Sequence, residues 1–125
     1  MPSGLYDVYV AKLKSSDGAL LWNTFIGSAS DDFGHSIAVD GSDVYVAGIS
    51  NASWGSPFNT HSGGWDAFVA KLNSSGTLIW NTFMGSASDD YGDSIAVDGS
   101  GDVYVAGMSN ASWGSPVNMH SGLYD

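Results

Sequence analysis

Residues 89–108 read DDYGDSIAVDGSGDVYVAGM and contain two short apolar runs, at 94–97 and 103–108. The five residues between the runs, 98–102, are Asp-Gly-Ser-Gly-Asp. Asp side chains accept hydrogen bonds from nearby backbone amides, and Gly adopts the positive φ that a tight reversal needs. The stretch therefore predicts a β-hairpin. Residues 31–49 contain the same pattern with few changes.

This duplication extends over almost the whole chain. The period is 59 residues, which is the distance from Asp7 to Asp66. The two copies cover about 7–65 and 66–124, so the chain is best counted in repeats rather than in ordinary domains. A third copy begins at Asp125.

The composition favours an all-β protein. All 13 acidic residues are Asp, against three Lys, and the net charge is −10. The sequence contains no Glu, Gln or Arg, which favour helices, but it has 17 Gly and many β-branched and aromatic residues. The negative charge disfavours nucleic acid as a partner. With no Cys, a disulfide or thiolate metal site is excluded.

No apolar run reaches the ~18 residues of a membrane helix, and the sequence has no signal-peptide pattern. We therefore expect no membrane partner.

Each period predicts four short strands joined by turns, which is an antiparallel meander. The strand at 66–72 is apolar on both faces: Phe68, Ala70 and Leu72 alternate with Ala67 and Val69. A sheet with two apolar faces must pack between similar sheets, as the blades of a β-propeller do. The alternative, a β-sandwich, would show one polar face in each strand.

The run DAFVAKLNSSG at 66–76, followed by WNTF at 80–83 and SIAVDGSGDVYVAG at 94–107, resembles the SBBP family of bacterial β-propeller repeats. The resemblance implies four-stranded blades and an extracellular or cell-surface context. It implies no catalytic residues, and we expect a protein that is not an enzyme.

In related propellers the SIAVD strand is the innermost strand of its blade. The chain would then hold the two outer strands of one blade (7–26), a complete blade (35–83) and the two inner strands of another (93–108). Its termini would split one blade. We expect the ring to close by homo-oligomerisation, as a trimer in preference to a tetramer.

In such a meander the long connections, 27–34, 50–65, 85–92 and 109–124, lie on one side of the sheets. Loops on a rigid scaffold are where binding residues concentrate. Their candidate cation ligands, for Ca²⁺ or Mg²⁺, are Asp32, Asp90 and Asp93. The alternative is that these Asp residues only cap turns.

Carbohydrate is the other candidate ligand of these loops. Trp54 and Trp113 could stack on sugars, beside the amides of Asn51 and Asn110. The alternative is that each Trp covers the small core of its own loop or the neighbouring blade.

His61 and His120 recur in register in the same loops and are further candidate ligand-binding residues. The alternative is that they only support loop structure, because no ligand pattern surrounds them. The sequence contains no nucleophile elbow that would support a hydrolase. Two functions therefore stay open: a self-assembling, non-enzymatic scaffold that needs no cofactor, and a multivalent carbohydrate-binding module.

Overall fold

A computed structural model describes residues 5–122 of the chain, and within this range every regular element is a β-strand. The prediction of an all-β protein is confirmed. The strands are β1 (Val8–Leu13), β2 (Leu20–Ile26), β3 (Asp32–Asp40), β4 (Asp43–Ser50), β5 (Asp66–Leu72), β6 (Leu78–Met84), β7 (Asp90–Val97) and β8 (Val103–Ser109).

The strands form three antiparallel sheets. The first contains β1 and β2, the second contains β3, β4, β5 and β6 in that order, and the third contains β7 and β8. The complete four-stranded sheet thus lies between two sheets of two strands each. No closed ring forms among the described residues, because one four-stranded sheet and two of two strands are fewer than the roughly four to eight blades of a closed propeller.

Both faces of the central sheet are covered by apolar neighbours. On one face Val46, Phe68 and Leu72 pack against residues of β1 and β2, including Val8 and Val10. On the other face a second cluster joins the central sheet to β7 and β8; it contains Tyr45, Ala47, Val69 and Ile95. Side chains on the two faces of β5 therefore pack into two different apolar clusters, as the sequence pattern predicts.

The turn between β7 and β8 has the hydrogen bonds that its sequence predicts. The Asp98 carboxylate accepts from the amide of Ser100 at 2.9 Å and from that of Asp102 at 3.0 Å. These backbone bonds, that of Asp102 above all, lower the pKa of Asp98 because they favour its charged form. Gly101 has a φ of 83°, which a residue with a side chain rarely adopts.

Strands β3 and β7 start earlier than the sequence indicates. The polar segments 27–34 and 85–92 were expected to be loops, but β3 begins at Asp32 and β7 at Asp90. Each strand then has an irregularity in its pairing, between Gly34 and Ser36 in β3. An equivalent irregularity in β7 falls at Asp93. Such bulges let a strand continue through residues that do not fit regular pairing.

The sheets do not follow the boundaries of the sequence repeats. The second copy starts at Asp66, which is the first residue of the third strand in the central sheet. The duplicated end segments, 3–7 and 121–125, lie partly outside the described residues. Between residues 5 and 122 we find no apolar helix of the length that a bilayer crossing requires.

Candidate functional site

On the long-connection side of the sheets, buried Asp residues tie loops to strands. Asp32 is buried at the start of β3, and one of its carboxylate oxygens accepts from the amide of Ser28 at 2.7 Å and from its hydroxyl at 2.9 Å. The other oxygen accepts from the hydroxyl of Ser50 at the end of β4. One carboxylate therefore joins the incoming loop to both inner strands of the blade.

The full arrangement recurs at Asp90, and its Ser–Asp part recurs at Asp66. Asp90 accepts from the amide and hydroxyl of Ser86, at 2.7 and 3.0 Å, and from the hydroxyl of Ser109. Asp66 accepts from the amide and hydroxyl of Ser62, at 2.6 and 2.7 Å. In each case the Ser lies four residues before the Asp. We refer to these three Ser–Asp pairs as the aspartate clamps.

Burial makes the charged form of these carboxylates costly. Desolvation raises the pKa of Asp32 above its ordinary value, and the hydrogen bonds from Ser50 and Ser28 offset only part of the rise. Desolvation likewise raises the pKa of Asp66, with a further contribution from the nearby Asp90. The clamps thus hold carboxylates for structural hydrogen bonds rather than exposing them as free anions.

The predicted cation ligands occupy different environments. Asp32 and Asp90 are buried, with both carboxylate oxygens accepting hydrogen bonds, whereas Asp93 is exposed at the irregularity of β7. Between residues 5 and 122, no three His, Asp or other ligating side chains come together as a metal would require. The contacts favour the capping role for Asp32 and Asp90, and the cation site stays a prediction.

Trp54 and Trp113 differ although their loops have nearly the same sequence. The Trp54 indole is buried edge-on against Phe68 and Phe83, with ring centroids 5.2 and 5.9 Å apart. Asn81 donates from its side chain to the Trp54 carbonyl at 2.8 Å. Trp54 therefore covers the core of its own blade, while the equivalent Trp113 is exposed.

The His residues in these loops hold loop structure together. His61 packs edge-on against Phe83 at 6.0 Å, and its ring nitrogen lies 2.7 Å from the carbonyl of Gly64. The amide of His120 donates to the Ser112 hydroxyl at 3.0 Å, as the His61 amide does to Ser53. Asn51 is exposed and Asn110 half-buried. A glycan site at these residues stays a prediction.

The sequence interpretation missed the Ser partners of the clamps and the role of Asn81. A signal for the clamps is present, since Ser and Asp recur four residues apart at 28/32, 62/66 and 86/90. The same spacing occurs at 3/7 and 121/125. The recurrence of a Ser-x-x-x-Asp pattern at the start of β3, β5 and β7 could have identified these carboxylates as structural.

The clamp at Asp90 lies within the segment that relates this chain to known proteins. Residues 79–112 match the family model described as SBBP, a beta-propeller repeat. This segment is similar to an SBBP beta-propeller repeat. It runs from β6, the last strand of the central sheet, through the clamp to the end of β8. No curated protein sequence matches the chain.

The SBBP match confirms the resemblance that the sequence indicates. The match covers strands β6, β7 and β8, and the family suggests a non-enzymatic repeat module. That the other sheets are propeller blades, complete or partial, stays a prediction. Because the match covers one copy of the duplicated sequence, the count of two repeats stays a prediction.

The clamp at Asp32 should contribute strongly to stability. Asp32→Ala leaves the buried Ser28 amide and two hydroxyls without their acceptor, so we expect the free energy of unfolding to fall by about 2–4 kcal/mol. Asp93→Ala, the matched control on an exposed carboxylate, should change it by less than about 0.5 kcal/mol. Urea unfolding followed by circular dichroism at one protein concentration measures both. Equal losses for the two variants would contradict the clamp.

The raised pKa of Asp32 predicts the sign of a pH effect. The folded state takes up this proton at a higher pH than the unfolded chain, so the stability due to Asp32 increases as the pH falls through the folded pKa towards about 4. The free energy of unfolding of the native chain, minus that of Asp32→Asn, should therefore be greater at pH 4 than at pH 7. A difference that shrinks on acidification would mean that the folded protein favours the ionised carboxylate.

Proposed function

We propose that the chain is a non-enzymatic scaffold that completes its propeller with further copies of itself. The observation that carries the proposal is the division of its strands. The first sheet has only β1 and β2, which correspond to the outer pair β5 and β6, and the last has only β7 and β8, which correspond to the inner pair. The last sheet of one copy and the first sheet of the next together have the strands of one blade.

Exposure of equivalent residues supports this pairing. Tyr9 on β1 corresponds to Phe68 on β5, yet the side chain is 69% exposed at Tyr9 and 0% at Phe68. Leu13 is 59% exposed, whereas its equivalent Leu72 is 0% exposed. These positions are apolar or aromatic in both copies, but only the complete blade buries them. A neighbouring copy would supply the missing cover.

The central sheet also gives the register of the proposed junction. Tyr45 of β4 pairs with Lys71 of β5, and the Lys71 ammonium lies 5.6 Å from the Tyr45 ring centroid. The Lys71 ammonium also forms a salt bridge with Asp43 at 3.5 Å. The equivalent residues, Tyr104 on β8 and Lys12 on β1, lie on the free edges of the two partial sheets. In the junction Tyr104 of one copy would therefore pair with Lys12 of the next.

A groove lies where the missing inner strands would sit. It has a volume of about 620 Å³ and lies beside β1 and β3, with Ile37 in its lining. Ile37 is exposed, whereas Ile95, the equivalent residue of β7, is buried against Tyr45 and Ala47 of the preceding blade. The equivalents of Tyr45 and Ala47 lie on β8, so the β8 strand of a second copy would cover Ile37.

The burial expected at such a junction favours assembly. If the two ends of each chain bury ~1,000 Å² of apolar surface, the gain at about 25 cal/mol per Å² is ~25 kcal/mol. Association costs of roughly 4–15 kcal/mol do not cancel it. Head-to-tail contacts of this kind close as a ring when the rotation allows. With two blades per chain, a trimer gives six blades and a tetramer eight; we favour the trimer because fewer chains lose less entropy.

Lys12→Cys with Tyr104→Cys tests the junction, because the chain has no Cys of its own and both side chains are exposed. Directly paired residues in antiparallel strands bring their Cβ atoms within disulfide reach. We expect oxidised chains to form covalent rings whose size, on non-reducing gels and in native mass spectra, ends at the trimer.

Lys12→Cys with Ala106→Cys, two residues out of register, is the matched control and should cross-link much less. A folded double variant that remains monomeric at micromolar concentration would contradict self-assembly. A series of cross-linked species that ends at the tetramer would contradict only the preference for a trimer and would leave self-assembly standing.

The alternative function is multivalent carbohydrate binding through Trp54, Trp113 and the Asn residues beside them. Burial of Trp54 under its own loop favours the scaffold, because a sugar needs an open aromatic face. On a glycan array we expect no binding above background. Saturable binding that Trp113→Ala abolishes would make the carbohydrate module the better assignment.

A further inference from the structure

We propose that residues 110–122, which we call the C-terminal arm, dock on the outer strand β2 of the neighbouring copy. This inference rests on the proposed self-assembly and adds a second contact to each junction. The first contact is the edge pairing of β8 with β1. The arm would continue past β1 and cover β2, so that one copy holds both strands of its neighbour's partial blade.

The central blade contains the template for this contact within a single chain. The loop between β4 and β5 crosses the blade and runs along the outer edge of β6. The Phe58 amide donates to the Asn81 carbonyl at 3.1 Å, and the Phe83 amide donates to the Asn59 carbonyl at 3.1 Å. The Asn59 amide also donates to the Thr82 hydroxyl at 3.1 Å. The outer strand therefore has a backbone partner on its free side.

The arm repeats this loop in sequence, and β2 repeats β6. Phe58 and Asn59 correspond to Val117 and Asn118, and the strand sequence WNTF occurs both at 22–25 and at 80–83. In the described chain β2 is the end strand of its two-stranded sheet. The equivalent bonds would run from the Val117 amide to the Asn23 carbonyl and from the Phe25 amide to the Asn118 carbonyl.

Trp113 is the apolar anchor of the same contact. Trp54 is 8% exposed because Phe68 and Phe83 pack against its ring, whereas Trp113 is 44% exposed. The equivalents of the two Phe residues are Tyr9 and Phe25, which are exposed on β1 and β2. The arm and the partial blade thus expose the two halves of a cluster that is complete in the central blade.

The arm already has the shape that the contact requires. It curls around a hollow of about 540 Å³ lined by Trp113, Met119 and His120. The Ser109 hydroxyl oxygen lies 2.7 Å from the Ala111 carbonyl oxygen, as that of Ser50 lies 2.8 Å from the Ala52 carbonyl in the template loop. Because these internal contacts match those of the template, the arm is preformed, which lowers the entropic cost of docking. Tyr9 and Phe25 of the next copy would fill the hollow.

Trp113→Ala, with Trp54→Ala as its matched control, separates the arm from the chain's own fold. Trp113→Ala should leave the circular dichroism of the chain unchanged and weaken the junction at least tenfold, measured by native mass spectrometry on dilution. Trp54→Ala should instead lower the melting temperature of the chain itself. Amide exchange by NMR gives the second readout: the Phe25 amide should be protected in the assembled native protein and lose protection in Trp113→Ala.

The cross-link between positions 12 and 104 keeps the two proposals distinguishable. If covalent rings form but the Phe25 amide exchanges as an unprotected amide, and Trp113→Ala leaves the junction unchanged, the arm docks elsewhere and this inference is wrong while self-assembly stands. If neither rings nor cross-links form, both proposals are wrong. Protection of Phe25 that depends on Trp113, in cross-linked rings, supports both.

Discussion

The fold depends on one constraint: each sheet has two apolar faces, and both must be covered. In the central sheet, β1 and β2 cover one face and β7 and β8 cover the other, through two separate apolar clusters. Neither outer sheet meets the constraint within one chain, because each has half the strands of a blade. Aggregation is the usual outcome of such open edges. In the assembly that we propose, the two open sheets are halves of one blade, so they would form a specific contact between copies instead.

The aspartate clamps show a different use of a polar residue. A buried carboxylate without partners would be costly, but Asp32 joins a loop, β3 and β4 through its bonds to Ser28 and Ser50. Each clamp lies where the chain turns from one element to the next. The clamps therefore fix the angle at which a strand leaves its loop, while the apolar clusters fix the stacking of the sheets.

The strands could be predicted from the sequence because local patterns determine them, whereas their grouping into blades was expected only from the resemblance to related propellers. Alternation in β5 and the Asp-Gly turns are properties of short segments. The start of β3 at Asp32 could not be predicted, because the polar run at this position is typical of a loop. The strand character of Asp32 depends on its pairing with Ser50, which is distant in sequence. That Trp54 covers a core was one of two interpretations of the sequence, but its partners Phe68 and Asn81 are distant in the chain and only the folded sheet brings them to it. The Ser-x-x-x-Asp spacing is a local sequence signal of the aspartate clamps.

The offset between sequence period and blade has a consequence for how such genes can vary. Sheet boundaries fall inside the 59-residue period, at the same phase at both ends of the chain. In-frame gain or loss of one whole period would therefore leave the same two half-blades at the ends and the same contacts between neighbours. The number of periods in the gene would then no longer determine the number of blades in the proposed ring. If chains assemble as we propose, unequal recombination between the two copies would change how many subunits close a ring without altering any residue at a junction.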